Sequence, residues 1–375
     1  MMNIEPSFVC EAPVVYILYN RPDTVRKTFA SIRSVQPKTL FLIADGPKDD
    51  SDALKVTEAR KEVEYIDWEC SVTRLYASTN MGCANRINSG LTTVFEQVDS
   101  AIILEDDILP SEAFFHYAQH MLIRYADDPG VMMISGWNAL VSHNSGQCDA
   151  FLSKTCSSWG WATWKSAWEC FRMIPGLSQL SDLDQESQLR LNHDDDFWVS
   201  HTLFKLRERV WERYDAWDYQ WVFSIYEHRG FCVTPSHNLC RNIGFDAAAT
   251  HTSYHPIYPF YPIPNKHHYS LYKQSYRIIE FDDPSVLWYD RATILSTTIW
   301  SYTSVRLFYL YFRNPSSRPS ALHSVAWDIY LQPFYEAETS SEILNTLATQ
   351  LEPKILTEYI DVFEKARVHI GHSNR

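Results

Sequence analysis

The fold and chemistry of this chain are most legible in Ser100-Ala101-Ile102-Ile103-Leu104-Glu105-Asp106-Asp107. A short apolar run ends abruptly in three carboxylates. The run has the length and composition of a strand buried on both faces. Three acids at its end cannot all stay ionised and close together without a compensating cation. Oxygen-only ligands favour a hard divalent ion such as Mg²⁺ or Mn²⁺, which reaches its substrate through phosphate oxygens. A solvated acidic turn would look the same in isolation, so the flanking sequence has to decide.

Residues before and after this stretch keep a strand–helix rhythm. Val14–Tyr19 is a continuous apolar run broken by Asn20-Arg21-Pro22, after which Val25, Thr28, Phe29 and Ile32 recur at helical spacing. Leu40–Ala44 predicts a second buried strand, and a charged helical segment follows from Asp52 to Ile66. Val72–Ala77 predicts a third strand, and Ala84, Ile87, Leu91, Val94 and Phe95 line one helix face. The fourth strand is Ala101–Leu104; a helix through Phe114, Phe115, Ala118, Met121, Leu122 and Tyr125 leads to a fifth at Val131–Ile134. Such alternation implies an α/β fold with a mostly parallel sheet and helices on both faces. Ligands bind beyond the carboxyl ends of the strands in sheets of this kind. Four polar turns fall there: Asn20-Arg21, Asp45-Gly46, Asn80-Met81-Gly82 and Glu105-Asp106-Asp107.

Composition narrows the function. At 45% hydrophobic residues the chain can bury a substantial core, which excludes global disorder. Aromatics reach 14%, more than a core needs, and exposed rings commonly stack on sugars or other flat apolar faces. A net charge of −13 argues against a nucleic-acid partner, since phosphate backbones demand clustered Lys and Arg. A nucleotide remains compatible, because a bound metal can supply positive charge locally. Eight cysteines include no Cys-x-x-Cys pair, which removes zinc-ribbon and thioredoxin-like readings. Residues 1–13, MMNIEPSFVCEAP, lack the basic start and apolar centre of a signal peptide, so a cytoplasmic location is expected. No Gly-x-Gly-x-x-Gly follows the first strand and no P-loop occurs anywhere. A nucleotide without a glycine-rich cradle, met by a metal at Asp107, points to a nucleotide-sugar-dependent transferase.

At this point the chain resembles GT-A-fold glycosyltransferases, especially family 2-like bacterial enzymes and the N-acetylglucosaminyltransferase I family. The resemblance is carried by Pro13-Val-Val-Tyr-Ile-Leu-Tyr-Asn-Arg-Pro22, by Asp45-Gly46, and by Ile103-Leu-Glu-Asp-Asp-Ile-Leu-Pro-Ser-Glu-Ala-Phe-Phe115. Trp217-Asp218-Tyr219-Gln220-Trp221 resembles the family's acceptor-side segment, with Gln220 departing from the tighter Trp-Asp-acid-Trp pattern. The similarity covers roughly residues 13–255, and the tail beyond about 260 has no counterpart. It implies a GT-A, Rossmann-like domain in two halves, 1–140 for the nucleotide sugar and 141–264 for the acceptor, with a mostly helical extension over 265–375. The implied activity is metal-dependent inverting transfer of a hexosyl or N-acetylhexosaminyl group from a UDP-linked donor to a hydroxyl of a glycan or other acceptor. Asn20, Arg21, Asn80 and Arg86 would line the nucleotide pocket, and Asp45 would accept from the uracil imide. Glu105 and Asp106 would line the donor site, Asp106 on the ribose, and Asp107 would ligate Mn²⁺ or Mg²⁺ with His251. Arg21 and Arg86 also read as ordinary surface cations.

The later sequence offers further candidates. Trp161, Trp164 and Trp168 are spaced as one buried helix face. Alternatively Trp159, Gly160 and Trp161 form a loop over the donor sugar, Gly160 permitting close approach. Asp218, among Trp217, Tyr219 and Trp221, has the apolar setting that tunes a general base. Asp194–Asp196 reads either as a solvated run or as a rival metal cluster. Residues 292–312 have the length of a membrane span, but their Ser, Thr and Arg306 argue for a packed helix with, at most, peripheral membrane contact. A non-catalytic sugar-binding protein on a degenerate transferase fold, and a metal-dependent phosphohydrolase, are the rival functions.

Overall fold

A computed structural model of the chain describes residues 8–138, 149–173, 217–244, 276, 278 and 279, all within one compact unit. The first strand, β1 (Val14–Leu18), is buried along its whole length. Its alternate residues serve two cores: Val14, Tyr16 and Leu18 join one apolar cluster, and Val15 and Ile17 the other. Helix α1 (Pro22–Val35) begins with Pro at its first position, where the missing N–H costs nothing, and buries Val25, Phe29, Ile32 and Val35 on the first of these clusters. Then follow β2 (Thr39–Ala44), α2 (Asp50–Lys61), β3 (Ser71–Tyr76), α3 (Cys83–Phe95) and β4 (Ser100–Glu105). The remaining elements are β5 (Ile108–Pro110), α4 (Glu112–Arg124), β6 (Val131–Ser135), β7 (Ala150–Ser153), β8 (Trp161–Trp164), the single turn α5 (Lys165–Trp168), α6 (Asp218–Glu227), β9 (Phe231–Pro235), β10 (Cys240–Asn242) and β11 (Ile278–Ile279).

Among the described residues a nine-stranded sheet runs β11-β7-β9-β6-β8-β4-β1-β2-β3. The part from β3 through β2 and β1 to β4 is parallel, with Val14 opposite Leu40 on one side and Ile102 on the other. Both faces are covered, α1 and α4 contributing to one cluster and α3 and α6 to the other. The expected α/β architecture is present, and the sheet departs from an all-parallel one: among the described residues it is mixed, with five parallel and three antiparallel pairings. β8 lies antiparallel between β4 and β6, and β7 lies antiparallel to β9.

The difference traces to the tryptophan run. The helix spacing of Trp161, Trp164 and Trp168 is overturned: Trp161 and Trp164 begin and end a strand, and an odd separation on a strand sends them to opposite faces. Accordingly Trp161 packs in the α3 and α6 cluster and Trp164 in the α1 and α4 cluster. A small second sheet pairs β10 antiparallel with β5, Asn242 opposite Ile108. This pairing brings a remote segment against the residue that follows Asp107.

Candidate functional site

The polar turns after β1, β2, β3 and β4 converge at one end of the sheet, as their positions at strand ends require. Asp45, 7% exposed, fastens two of them together. Its Oδ1 accepts the N–H of Gly46 at 2.8 Å and of Met81 at 2.9 Å, and its Oδ2 accepts Gly82 N–H and Asn80 Nδ2, each at 3.1 Å. A carboxylate offers about four lone-pair sites, and these donors use them. Reading a uracil imide through Asp45 would therefore require exchanging one of these bonds. Arg60 ties the same turns from below, donating to the carbonyls of Asp45 at 2.9 Å and Ala77 at 2.8 Å. Asn80 also bridges to Tyr19 Oη at 3.1 Å and to Gly46 O at 3.0 Å.

Asp52 is a second organiser, which its place in the charged helix α2 does not by itself reveal. Its carboxylate accepts the Tyr19 hydroxyl, Asn20 Nδ2 at 2.6 Å and Lys48 N–H at 3.0 Å. Burial alone would raise its pKa, but these hydrogen bonds outweigh it and hold the carboxyl below its ordinary value. Tyr19 Oη is correspondingly pushed up, first by burial and then by Asp52. The exposed Lys48 carries its ammonium 5.8 Å from the centroid of the Tyr19 ring, leaving a cation at the rim. The available signal was Asp49-x-x-Asp52: Asp49 caps α2 by accepting Asp52 N–H at 2.9 Å, which turns the Asp52 side chain back toward the site.

The acidic tip completes the arrangement. Asp106 Oδ2 accepts Tyr19 N–H at 3.0 Å, which fixes β1 to β4 at their ends. Asp107 forms an ion pair with Arg21, Nη1 to Oδ2 at 3.1 Å, with side chains 14% and 20% exposed in the order Arg21, Asp107. Segment 243–244 closes on this pair: Ile243 N–H donates to Asp107 O at 2.7 Å. A Cβ on Gly244 would collide with Asp107 Oδ2, lie 2.7 Å from Asp107 Cβ and 2.8 Å from Arg21 Nη1. Burial pushes the Glu105 carboxyl well above the usual range, and the charges of Asp107, Asp218 and Asp106 add to it against the pull of Arg21. Asp218, first residue of α6 and half-buried, thus sits within electrostatic reach of the strand-end acids.

Whether this tip suits a divalent ion turns on its donors. Among the described residues no three His, Cys, Asp or Glu side chains converge into a ready-made cage. Mg²⁺-type ions are commonly held by one or two carboxylates, with substrate phosphates and water completing the shell. Asp107 offers such a hard carboxylate and already faces a cation, Arg21, so its chemistry fits an ion that arrives with a phosphorylated ligand. His251 and Asp194–Asp196 lie outside the described residues.

Three expected donor-site residues take other positions. Arg86 is 9% exposed and spends its guanidinium on the carbonyls of Ala44 (3.2 Å) and Leu75 and on Ser89 Oγ (3.1 Å), bracing β2 against β3. Trp161 is fully buried among Trp168, Trp217 and Trp221, which withdraws it from a sugar-covering loop. Gly160 has φ +71°, and the group it lets approach is the Cys240 side chain, with Ile108 Cγ2 3.5 Å from where a Cβ would be. Trp159 remains half-buried and pairs with Trp137. The groove of about 720 Å³ lined by Pro13, Ser100, Trp164 and Glu169 lies at the opposite strand ends and shares no residue with this cluster. No helix among the described residues is long and apolar enough to cross a membrane.

No protein-family model matches the chain, and no curated protein does. Among solved structures, that of 4-diphosphocytidyl-2C-methyl-D-erythritol synthase from Anaerococcus prevotii is similar over 46% of this chain and 83% of its own, at 13% identity and a TM-score of 0.27. A likeness at that score carries no argument about fold or activity, so the function rests on the site itself.

Proposed function

We propose that this protein is an inverting glycosyltransferase that moves a sugar from a nucleotide-sugar donor, UDP-linked by resemblance, to an acceptor hydroxyl. The observation that carries the reading is the meeting of Arg21–Asp107, Asp106 and Glu105 at one sheet end, with Asp218 within electrostatic reach. Arg21 would turn its guanidinium from Asp107 to the donor's phosphates, for which its fork of N–H groups is suited. Asp107 would hold Mn²⁺ or Mg²⁺, which supplies charge stabilisation for a departing diphosphate. Asp218 would take the acceptor's hydroxyl proton as that oxygen bonds to the anomeric carbon, while the bond from that carbon to the diphosphate oxygen breaks and its electrons leave with the nucleotide. One displacement inverts the anomeric centre and needs no covalent intermediate. The fixed turns around Asp45 and Asp52 hold these groups in register, the orientation that proximity effects require.

The test is a thermal-shift panel of UDP, GDP, CDP and their sugar conjugates, each with and without Mn²⁺. A ligand that binds only the native state at 100 times its Kd stabilises it by about 2.7 kcal/mol. A shift with uridine compounds that grows with Mn²⁺ supports the reading. A flat response to every nucleotide removes it.

A further inference from the structure

Two tryptophans stand at the candidate site with no role in the reaction just described. Trp137 lies two residues beyond the end of β6, and Trp159 two residues before the start of β8. Their ring centroids are 4.5 Å apart with planes inclined at 58°. Both are half-buried, whereas Trp161, Trp217 and Trp221 are withdrawn into the core.

Their position is fixed by the backbone. β6 and β8 are antiparallel, with Ser135 opposite Trp161, so the end of one and the start of the other share a sheet end. That end is also where β4 delivers Asp107, because β4 and β8 are antiparallel too. Gly136 N–H donates to Gly160 O at 2.6 Å, and Gly136 O accepts from Leu239 and Cys240 N–H at 2.9 and 3.1 Å. Cys240 opens the strand paired with Ile108–Pro110, immediately after Asp107. Ser135 Oγ grips the Trp137 backbone from both sides, accepting its N–H at 3.1 Å and donating to its carbonyl at 3.0 Å. Each indole therefore hangs one residue from a glycine locked into the layer that carries the acidic tip.

Indole faces are broad, apolar and electron-rich, and they suit the C–H face of a sugar ring while hydroxyls stay free for hydrogen bonds. Trp137 and Trp159 each keep part of their surface accessible at this sheet end. We propose that Trp137 and Trp159 form a stacking platform for a pyranose ring beside Asp107 and Asp218. The assignment rests on the transferase reading for its choice of ligand, and it adds Trp137, which the sequence did not single out. The pyranose can come from the donor or from the acceptor, and the probes below separate the two.

The experiment uses the full chain with Trp137→Ala, Trp159→Ala and the matching Phe variants, checked by circular dichroism. Calorimetry measures UDP, UDP-glucose and UDP-N-acetylglucosamine; saturation-transfer NMR measures methyl β-D-glucopyranoside and methyl N-acetyl-β-D-glucosaminide. Loss of one stacking face should lower affinity for a sugar-bearing probe about 3- to 10-fold while UDP is unaffected. A loss confined to the UDP-sugars places the donor sugar on the platform, and one confined to the methyl glycosides places the acceptor there. Where an Ala variant does not fold, the Phe variant should show a smaller loss in the same direction. Unchanged affinity for every sugar probe in folded variants overturns the proposal, as does equal loss of UDP, which would mean the pair only holds the site together. A wild-type chain that binds no sugar probe of either kind also overturns it. A chain that binds no UDP but binds a methyl glycoside through these rings refutes the transferase reading and leaves the platform standing.

Discussion

Replacing Gly244 by Ala is the sharpest mechanical test of the candidate site. The added methyl would collide with Asp107 Oδ2 and would stand 2.7 Å from Asp107 Cβ and 2.8 Å from Arg21 Nη1. Carbon contacts prefer about 3.5–4.0 Å, so the methyl needs roughly 1 Å more room than it has. Neither neighbour gives way freely. Asp107 is held through its own carbonyl by Ile243 N–H at 2.7 Å, and Arg21 is tied to it at 3.1 Å. The segment itself is anchored by Gly244 N–H on Asn242 Oδ1 at 2.7 Å and by the pairing of β10 with β5. Overpacking of this kind costs about 1–3 kcal/mol, and a 1 Å misplacement in a catalytic constellation costs about 10²-fold in rate. We therefore expect Gly244→Ala to fold with a lowered Tm, to weaken Mn²⁺-dependent UDP binding, and to reduce transfer about 100-fold. Thermal denaturation, calorimetry with UDP and Mn²⁺, and a transfer assay measure the three effects on one preparation. An Ala variant with unchanged Tm and unchanged UDP affinity would refute the claim that segment 242–244 sets the position of Asp107.

Other variants probe the remaining groups. Asp218→Asn should cut turnover about 10²–10⁴-fold while the donor's Kd holds; near-normal turnover in a folded variant would assign the base elsewhere. Asp45→Ala strands the N–H groups of Gly46, Met81 and Gly82, so it should cost about 1–3 kcal/mol in denaturant melts, and an unaltered midpoint would contradict the fastening role. Asp52 is held below its ordinary pKa once hydrogen bonds from Tyr19, Asn20 and Lys48 overcome its burial. Its contribution is therefore complete above about pH 4 and is lost as pH falls through the lowered folded value. Melting curves between about pH 2 and 5 should show Asp52→Asn less acid-sensitive than the parent, and parallel curves would remove this linkage.

Much of the parallel half of the fold was legible because its signals are local. β1, β2 and β4 are built on short apolar runs, and each run gives way within two residues to a side chain that cannot stay buried without partners: Asn20, Asp45, Glu105. The strand-end rule then sufficed to bring those turns together. What stayed hidden depends on partners distant in sequence. Trp161-Ala-Thr-Trp164 is too short for its period to separate strand from helix, and only insertion between β4 and β6 makes it a strand. Arg86 carries the same charge whether it meets a phosphate or a carbonyl, and packing against Ala44 O decided the matter. Asp52 and Gly244 gain their meaning from Tyr19 and Asp107, at separations that propensity does not see.

The place of β8 has a consequence for the order in which the chain can be finished. β4 and β6 flank it, yet both precede it in sequence. When residues up to 138 have left the ribosome, every strand-end acid has been made, but β4 and β6 each expose a full row of unpaired backbone groups. Such edges recruit other strands. β8 fills the gap only when residue 164 is available, and β9 covers the other flank of β6 only after residue 235. Since long-range pairing must wait for its loop to close, the half-made sheet is the species most exposed to misassembly. The mixed topology therefore postpones the site's completion to the last strands and makes the interval before β8 arrives the vulnerable stage of biosynthesis.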